Sequence, residues 1–279
     1  MNDKQIAYWN DVAGPKWVAM QGAVESRLAP VDALLLAEAA PQAGERILEI
    51  GCGTGTTTAL LADAVGPEGA VLAVDVARPM LEAARIGLAG RQQVRLLEAD
   101  AAGYRFEPVY HRVVSRFGVM FFEQPLVAFQ NIARALRPGG RLCCVAWAPL
   151  EQNPHWAATF EVAVAALGAP KPRKPHAPGP LAFDDAEYVR ALLGEAGFAD
   201  VAVRPVAVAL QGESLAREAE IATLIGPSGA LIDEKAADRV VRAQLRDAFE
   251  RALAGIMRPG VQLPAMVHVI TGRRVADRS

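Results

Sequence analysis

The spacing that most directly suggests chemistry lies in ILEIGCGTG, residues 47–55. An apolar run passes Glu49 and then meets Gly51, Gly53 and Gly55 before a helix-forming stretch opens at Thr56. Glycine lets the backbone turn sharply and lets a ligand approach without a Cβ in the way. A strand that turns through glycines into a helix N-terminus puts a ligand at the strand's carboxyl end. A bare strand-to-helix turn is the other reading, and three alternating glycines favour the ligand. A dinucleotide fingerprint counted from Gly51 requires Gly or Ala at position 56, where Thr56 stands. Glu49, two residues ahead of the first glycine, suits a cationic ligand better than a phosphate.

Two further acids follow at comparable places. Asp75 ends a second apolar run 20 residues after Gly55, where an acid can accept both hydroxyls of a ribose. Asp100 and Ala101 close a third run, LLEADA, although Asp100 can equally cap a short helix. Of the four histidines, His111 lies at the wrong end of its run and His268 sits inside an apolar strand pattern. His176 falls in a proline-rich stretch. His155 follows the fifth run at the ligand edge and is the candidate general base, with a helix-start role as its alternative. Arg116 and Glu123, just past the fourth run, can bind a polar group or simply pair with neighbours. No His, Asp and Cys cluster has metal-ligand spacing, so no metal is expected.

These side chains need elements to hold them. Strand patterns cover 46–50, 71–76, 94–99, 112–117 and 141–147, with helical stretches at 56–65, 79–89 and 125–136 between them. Continuous apolar runs suit strands buried on both faces. Alternating strands and helices joined by short turns give an α/β fold with a parallel, doubly wound sheet. After Trp147 the pattern changes. Residues 169–180 hold five prolines and read as a loop or lid. A helix over 184–196, strands over 201–210 and 266–271, and two amphipathic helices near 213–225 and 233–254 complete the chain, with the late strands extending the same sheet.

Taken together, the residues resemble the class I S-adenosylmethionine-dependent methyltransferases, whose first motif has the form E/D-x-G-x-G-x-G. The resemblance runs for about 100 residues, through VVSRFGVMFF after the fourth strand to the fifth-strand signature LRPGGRLCCVAW. It implies a Rossmann-like, seven-stranded, mostly parallel sheet. It also implies S-adenosyl-L-methionine as cofactor and S-adenosyl-L-homocysteine as product. Glu49, Gly51, Cys52, Gly53 and Gly55 would surround the cofactor's amino-acid end, with Asp75 on the ribose. Val76 and Met80 would flank adenine, Asp100 and Ala101 would meet its edge, and Ser115 and Arg116 would close the set. Tyr110-His111-Arg112-Val113 departs from the usual Phe-Asp-x-Val, at the strand end remote from the ligand. The Asn/Asp-Pro-Pro-Tyr box of base-methylating members is absent, with Ser115-Arg116-Phe117-Gly118 in its place. The overall pattern is most similar to the small-molecule branch that includes quinone-pathway C-methyltransferases.

The remaining segments are expected to enclose an acceptor. Residues 1–40 read as a helical lid and 41–279 as the Rossmann-like domain, with a loop or lid insertion at 149–182 and a helical cap at 211–258. Trp9, Trp17, Phe117, Met120 and Trp156 are the candidate walls of a largely apolar pocket, though the two early tryptophans can equally be plain packing. Methyl transfer chiefly requires nucleophile, carbon and sulfur in line, so no catalytic residue is obligatory. Two rivals stand beside a methyltransferase acting on O, N or C of a small, partly apolar metabolite. One is a non-catalytic subunit that binds the cofactor; the other is a nicotinamide oxidoreductase, which Thr56 and Glu49 disfavour.

Composition agrees with a globular enzyme. The chain has 279 residues, a formal net charge of −2 and 52% hydrophobic residues. That balance excludes the basic excess of a dedicated nucleic-acid binder. The N-terminal MNDKQIAYWN has no apolar leader, and no run reaches the roughly 18 uncharged residues of a membrane span. Three cysteines, two of them adjacent, build no disulfide framework, so a cytoplasmic, reducing setting is expected.

Overall fold

Short runs of Val, Ile and Leu pair into a single seven-stranded sheet in the computed structural model, which describes residues 2–275. The strands are β1 (Arg46–Ile50), β2 (Ala70–Asp75), β3 (Val94–Glu98), β4 (Tyr110–Arg116), β5 (Leu136–Trp147), β6 (Phe198–Gln211) and β7 (Gln262–Arg274). Their order is β3-β2-β1-β4-β5-β7-β6, with β7 antiparallel to both neighbours and β1 to β5 parallel. Winding proceeds outward from β1 in one direction and from β4 in the other. The crevice between their carboxyl ends is where ligands sit in open α/β sheets.

Helices cover both faces, and that explains the unbroken apolar strands. They are α1 (Asp3–Tyr8), α2 (Gly14–Ala19), α3 (Gln21–Ala39), α4 (Thr56–Val65), α5 (Arg78–Gly87), α6 (Pro125–Ala135), α7 (Pro154–Leu167), α8 (Ala186–Glu195), α9 (Leu215–Leu224), α10 (Gly226–Glu234) and α11 (Arg239–Ala254). A π-helical turn, Trp9–Ala13, joins α1 to α2. Ile47 and Leu48 point to opposite faces of β1, yet both are fully buried. α3 and α8 both pack on β6. α6 joins α8, where Phe129 meets Phe183 and Phe198.

Three expectations change. Residues 1–40 are not a lid throughout, because Val24, Leu28, Val31, Leu35 and Ala39 bury one side of α3 in the core. The interval 149–182 is not irregular throughout either, since it contains the 14-residue helix α7. Pro154 in its first turn lacks an N–H that no helical carbonyl would have received. The cap over 211–258 has three helices rather than two, because Gly226 takes φ +74° and Pro227 then starts α10. The proline-rich 169–180 segment does lie outside any helix or strand. Among the described residues, no helix is long and apolar enough to cross a membrane.

Candidate functional site

The glycine turn is held by its own backbone contacts. Gly51 and Cys52 donate N–H groups to the Val74 carbonyl, fastening the turn to β2. Gly51 has φ +71°, and a Cβ there would fall 2.6 Å from the Gly118 Cα, so two backbones touch where β1 and β4 diverge. Gly53 donates its N–H to Asp75 Oδ2 at 2.7 Å, and Ala77 donates to Oδ1 at 2.8 Å. Burial pushes the Asp75 carboxyl up, while backbone N–H groups of Ala77, Gly53 and Val76 pull it back. A carboxylate offers about four lone-pair sites, so acceptor capacity remains for a hydroxyl donor.

A single cavity opens above this turn. Gly51, Cys52, Gly53, Asp75, Val76, Met80, Asp100 and Ala101 line one end, over β1 to β3. Trp9, Trp17, Phe117, Met120 and Trp156 line the rest, joined by Trp147 and Phe121. The aromatic end is tightly built. Phe117 lies flat on Trp147 with centroids 4.4 Å apart, and Trp147 meets Trp156 at 4.4 Å. Phe117 adopts φ +63°, a costly conformation for an aromatic residue and one that clusters at functional sites. Trp9 stands edge-on to Phe121 at 4.9 Å and closes the opposite wall.

Four predicted residues lie off this cavity. Glu49 sits behind the turn, where its carboxylate accepts the Thr58 hydroxyl at 2.6 Å, and burial raises its pKa to about 7. Gly55 does not face the cavity; a Cβ there would press on Leu88 and Ala84, so its lack of a side chain serves packing against α5. Ser115 donates its hydroxyl to the Ile50 carbonyl at 2.7 Å, tying β4 to the end of β1. His155 lies in a small separate cavity with Arg27, Thr159, Glu218 and Ser228. Its Nδ1 faces the Pro264 carbonyl at 3.2 Å and must donate to it, leaving Nε2 buried without a partner. Burial first, and then the nearby Arg27 charge, hold His155 well below the usual imidazole range. Such a histidine is a weak base.

Arg116 does reach the cavity, but its guanidinium is already taken. It donates to Asp32 and Glu25 of α3, each at 2.7 Å. Thr57 at the start of α4 and Thr54 in the glycine turn also donate to those two acids, so the cluster locks α3 to the turn. Burial keeps the Cys52 thiol protonated, because its pKa is raised well above the ordinary value. Among the described residues, no group of three or more His, Cys, Asp or Glu side chains can hold a metal ion.

Residues 47–140 match the family model described as a methyltransferase domain. That segment begins in β1 and ends in β5, so it contains the glycine turn, Asp75, Asp100 and Arg116. The match covers about a third of the chain. The chain is 36% identical over 103 residues to demethylmenaquinone methyltransferase of Staphylococcus aureus, a match covering 37% of this chain and 43% of that enzyme. It therefore spans less than half the length of the curated relative. Phosphoethanolamine N-methyltransferase 2 of Haemonchus contortus, solved with S-adenosyl-L-methionine, shares the fold with a TM-score of 0.53 at 18% identity over 88% of this chain and 52% of that one. A sarcosine dimethylglycine methyltransferase assigned in Galdieria sulphuraria aligns with a TM-score of 0.53 at 14% identity, over 88% and 85% of the two chains.

Several residues around the cavity have no plain signature in the sequence. Asn10, in the π-helical turn, donates to the Val76 carbonyl and accepts the Arg78 N–H, both within 2.9 Å. Asn2 donates to Asp100 at 3.2 Å and accepts the Glu123 N–H at 2.8 Å. Both asparagines fasten the N-terminal segment over the loops after β2, β3 and β4. Glu25, Arg27 and Asp32 were hidden in a helix that reads as core. The available signal was three charges in an otherwise apolar stretch, QGAVESRLAPVDALLL.

Proposed function

We propose that this protein is an S-adenosyl-L-methionine-dependent methyltransferase acting on a small, partly apolar acceptor. The observation that carries the reading is the Gly51–Gly53 turn bonded to Asp75 at one end of a cavity whose other end is aromatic. Asp75 has acceptor capacity left for a ribose hydroxyl, and Met80 and Val76 offer apolar contact for an adenine ring beside it. At the cofactor end the charged lining is Asp75 and Asp100, which suits a ligand that carries ammonium and sulfonium charges.

When bound, S-adenosyl-L-methionine would supply an activated methyl group: the acceptor's lone pair would bond to the methyl carbon, the carbon–sulfur pair would stay on sulfur in S-adenosyl-L-homocysteine, and an acceptor proton would leave to solvent or to a base. Alignment supplies most of the rate. The residues that build alignment are Phe117, Trp147 and Trp156, whose mutual contacts fix the shape of the acceptor end. A general base at His155 is disfavoured by its depressed pKa and by its position outside the main cavity.

In this reading the segment 2–19, the proline-rich loop and α9 to α11 close over the cofactor as a lid. Trp9 and Trp17 then contribute wall rather than packing alone, and Pro180 and Ile225 bring the later segments to the same cavity. Closure excludes water from the sulfonium. The three cysteines are free and buried, which fits work in a reducing, cytoplasmic setting. The test is transfer of a labelled methyl group from S-adenosyl-L-methionine to a panel of quinols, phenols and aromatic acids. Labelled product formed with stoichiometric thioether supports the assignment. Tight cofactor binding with no transfer to any acceptor would favour a non-catalytic subunit.

A further inference from the structure

Two cations line the main cavity, and their situations differ. Arg116 bridges two carboxylates, Glu25 and Asp32. Arg27, two residues from Glu25 on α3, faces one. Its Nε lies 2.9 Å from Glu218 Oε2, but both atoms lack hydrogen-bond alignment and stand as buried polar atoms without a partner. Among the described residues, no hydrogen bond engages its terminal nitrogens. The side chain is only 7% exposed, so what can reach its terminal nitrogens comes through the cavities it lines. An unsatisfied buried guanidinium is costly unless something completes its donor set.

Position gives that vacancy a direction. Arg27, Trp156 and Ile225 are shared by the main cavity and the small one holding His155, so Arg27 stands in the wall between them. It lies toward the aromatic end with Trp156, while the acids Asp75 and Asp100 lie toward the cofactor end. A guanidinium is matched by carboxylate-like oxygens, often through two parallel hydrogen bonds. Arg116 demonstrates within the same cavity that a buried arginine here takes two anionic partners.

We propose that Arg27 recognises the methyl acceptor, and that the acceptor carries an anionic oxygen (carboxylate, phenolate or enolate) on an apolar ring or chain. The inference rests on the methyltransferase reading and narrows its substrate class. The anionic oxygen docks on the Arg27 terminal nitrogens and directs the apolar body along Phe117, Trp147 and Trp156. Arg27 becomes a specificity-determining residue, with Glu218 holding its orientation from behind.

The experiment uses the full chain saturated with S-adenosyl-L-homocysteine and two probes of one shape, 2-naphthoate and 2-naphthamide. Calorimetry of the thioether alone comes first. If it fails to bind, the methyltransferase reading itself fails, and the acceptor question does not arise. With the thioether bound, naphthoate is expected to bind about tenfold more tightly than naphthamide, the advantage of a charged hydrogen-bonded pair. Arg27→Gln combined with Glu218→Gln removes both charges and strands neither, which protects folding. That double variant is expected to keep its thioether affinity and lose the preference for naphthoate. Equal binding of the two probes to the unaltered protein overturns the proposal, as does a preference that survives in the double variant.

Discussion

The carboxylate of Asp75 accepts two backbone N–H groups without any ligand, from Gly53 and Ala77. It is therefore a scaffold for the turn as well as a candidate ribose acceptor. Asp75→Ala is expected to lower thioether affinity and also to reduce stability by about 1–3 kcal/mol, because two donors lose their partner. A thermal melt and a titration on the same variant read both effects; full affinity in a folded variant removes Asp75 from the cofactor site. Gly51 is the stricter of the two turn glycines. Gly51→Ala drives a Cβ into backbone at 2.6 Å and adds the cost of a positive φ, so a loss of about 2 kcal/mol or more is expected. At Gly53 the nearest atom is the flexible end of Met80 at 3.0 Å, and its substitution is expected to cost less in denaturant unfolding. Glu49 makes the third case. Its folded pKa of about 7 lies above that of a solvated glutamate, so the folded state binds more protons through the window between them. Its contribution to stability therefore falls as pH rises from about 4.5 to 7. Glu49→Gln keeps an acceptor for Thr58 and removes the titration. Denaturant midpoints of the two proteins are expected to diverge in favour of the variant with increasing pH, whereas parallel profiles would mean Glu49 ionises freely.

At the scale of elements, the segment before α3 is the least self-sufficient part. Residues 3–19 have Ala13 and Gly14 as their buried positions, and beside the aromatic contact of Trp9 with Phe121 the attachments are polar: Asn2, Asn10 and the ion pair of Lys16 with Asp233 on α10. Deleting residues 1–17 is expected to leave the sheet folded by circular dichroism and to cut turnover roughly 100-fold through lost alignment. Retained turnover would make Trp9 and Trp17 mere packing. This segment also marks where sequence reading stopped. Its helical character was legible, but an asparagine capturing the Val76 carbonyl from 66 residues away has no local signature. Likewise the pairing of half-buried Glu25 and of buried Arg27 and Asp32 depends on partners in β4 and α9, which no periodicity in α3 reveals. The division of the cap at Gly226-Pro227 was legible in principle, since a proline after glycine starts a helix more readily than it continues one.

At the scale of the molecule, the doubly wound parallel sheet follows from sequence because the crossovers from β1 to β2, β2 to β3 and β4 to β5 are short and each carries a helix. The glycine turn and Asp75 were equally plain, since strand end, turn and acid lie close in the chain. The acceptor end was only partly legible. Phe117, Met120 and Trp156 follow from their places after β4 and β5, but His155 illustrates the limit: topology puts it at the correct edge, and its helix turns it into a separate cavity beside Pro264. The central claim is that the turn and Asp75 form a site for an adenosyl thioether rather than for a dinucleotide. Its most direct test is calorimetry of the full chain with S-adenosyl-L-methionine, S-adenosyl-L-homocysteine and NAD in parallel. The account predicts saturable binding of both adenosyl compounds with one site per chain and no measurable heat from NAD. Binding of NAD, with neither adenosyl compound bound, would contradict it.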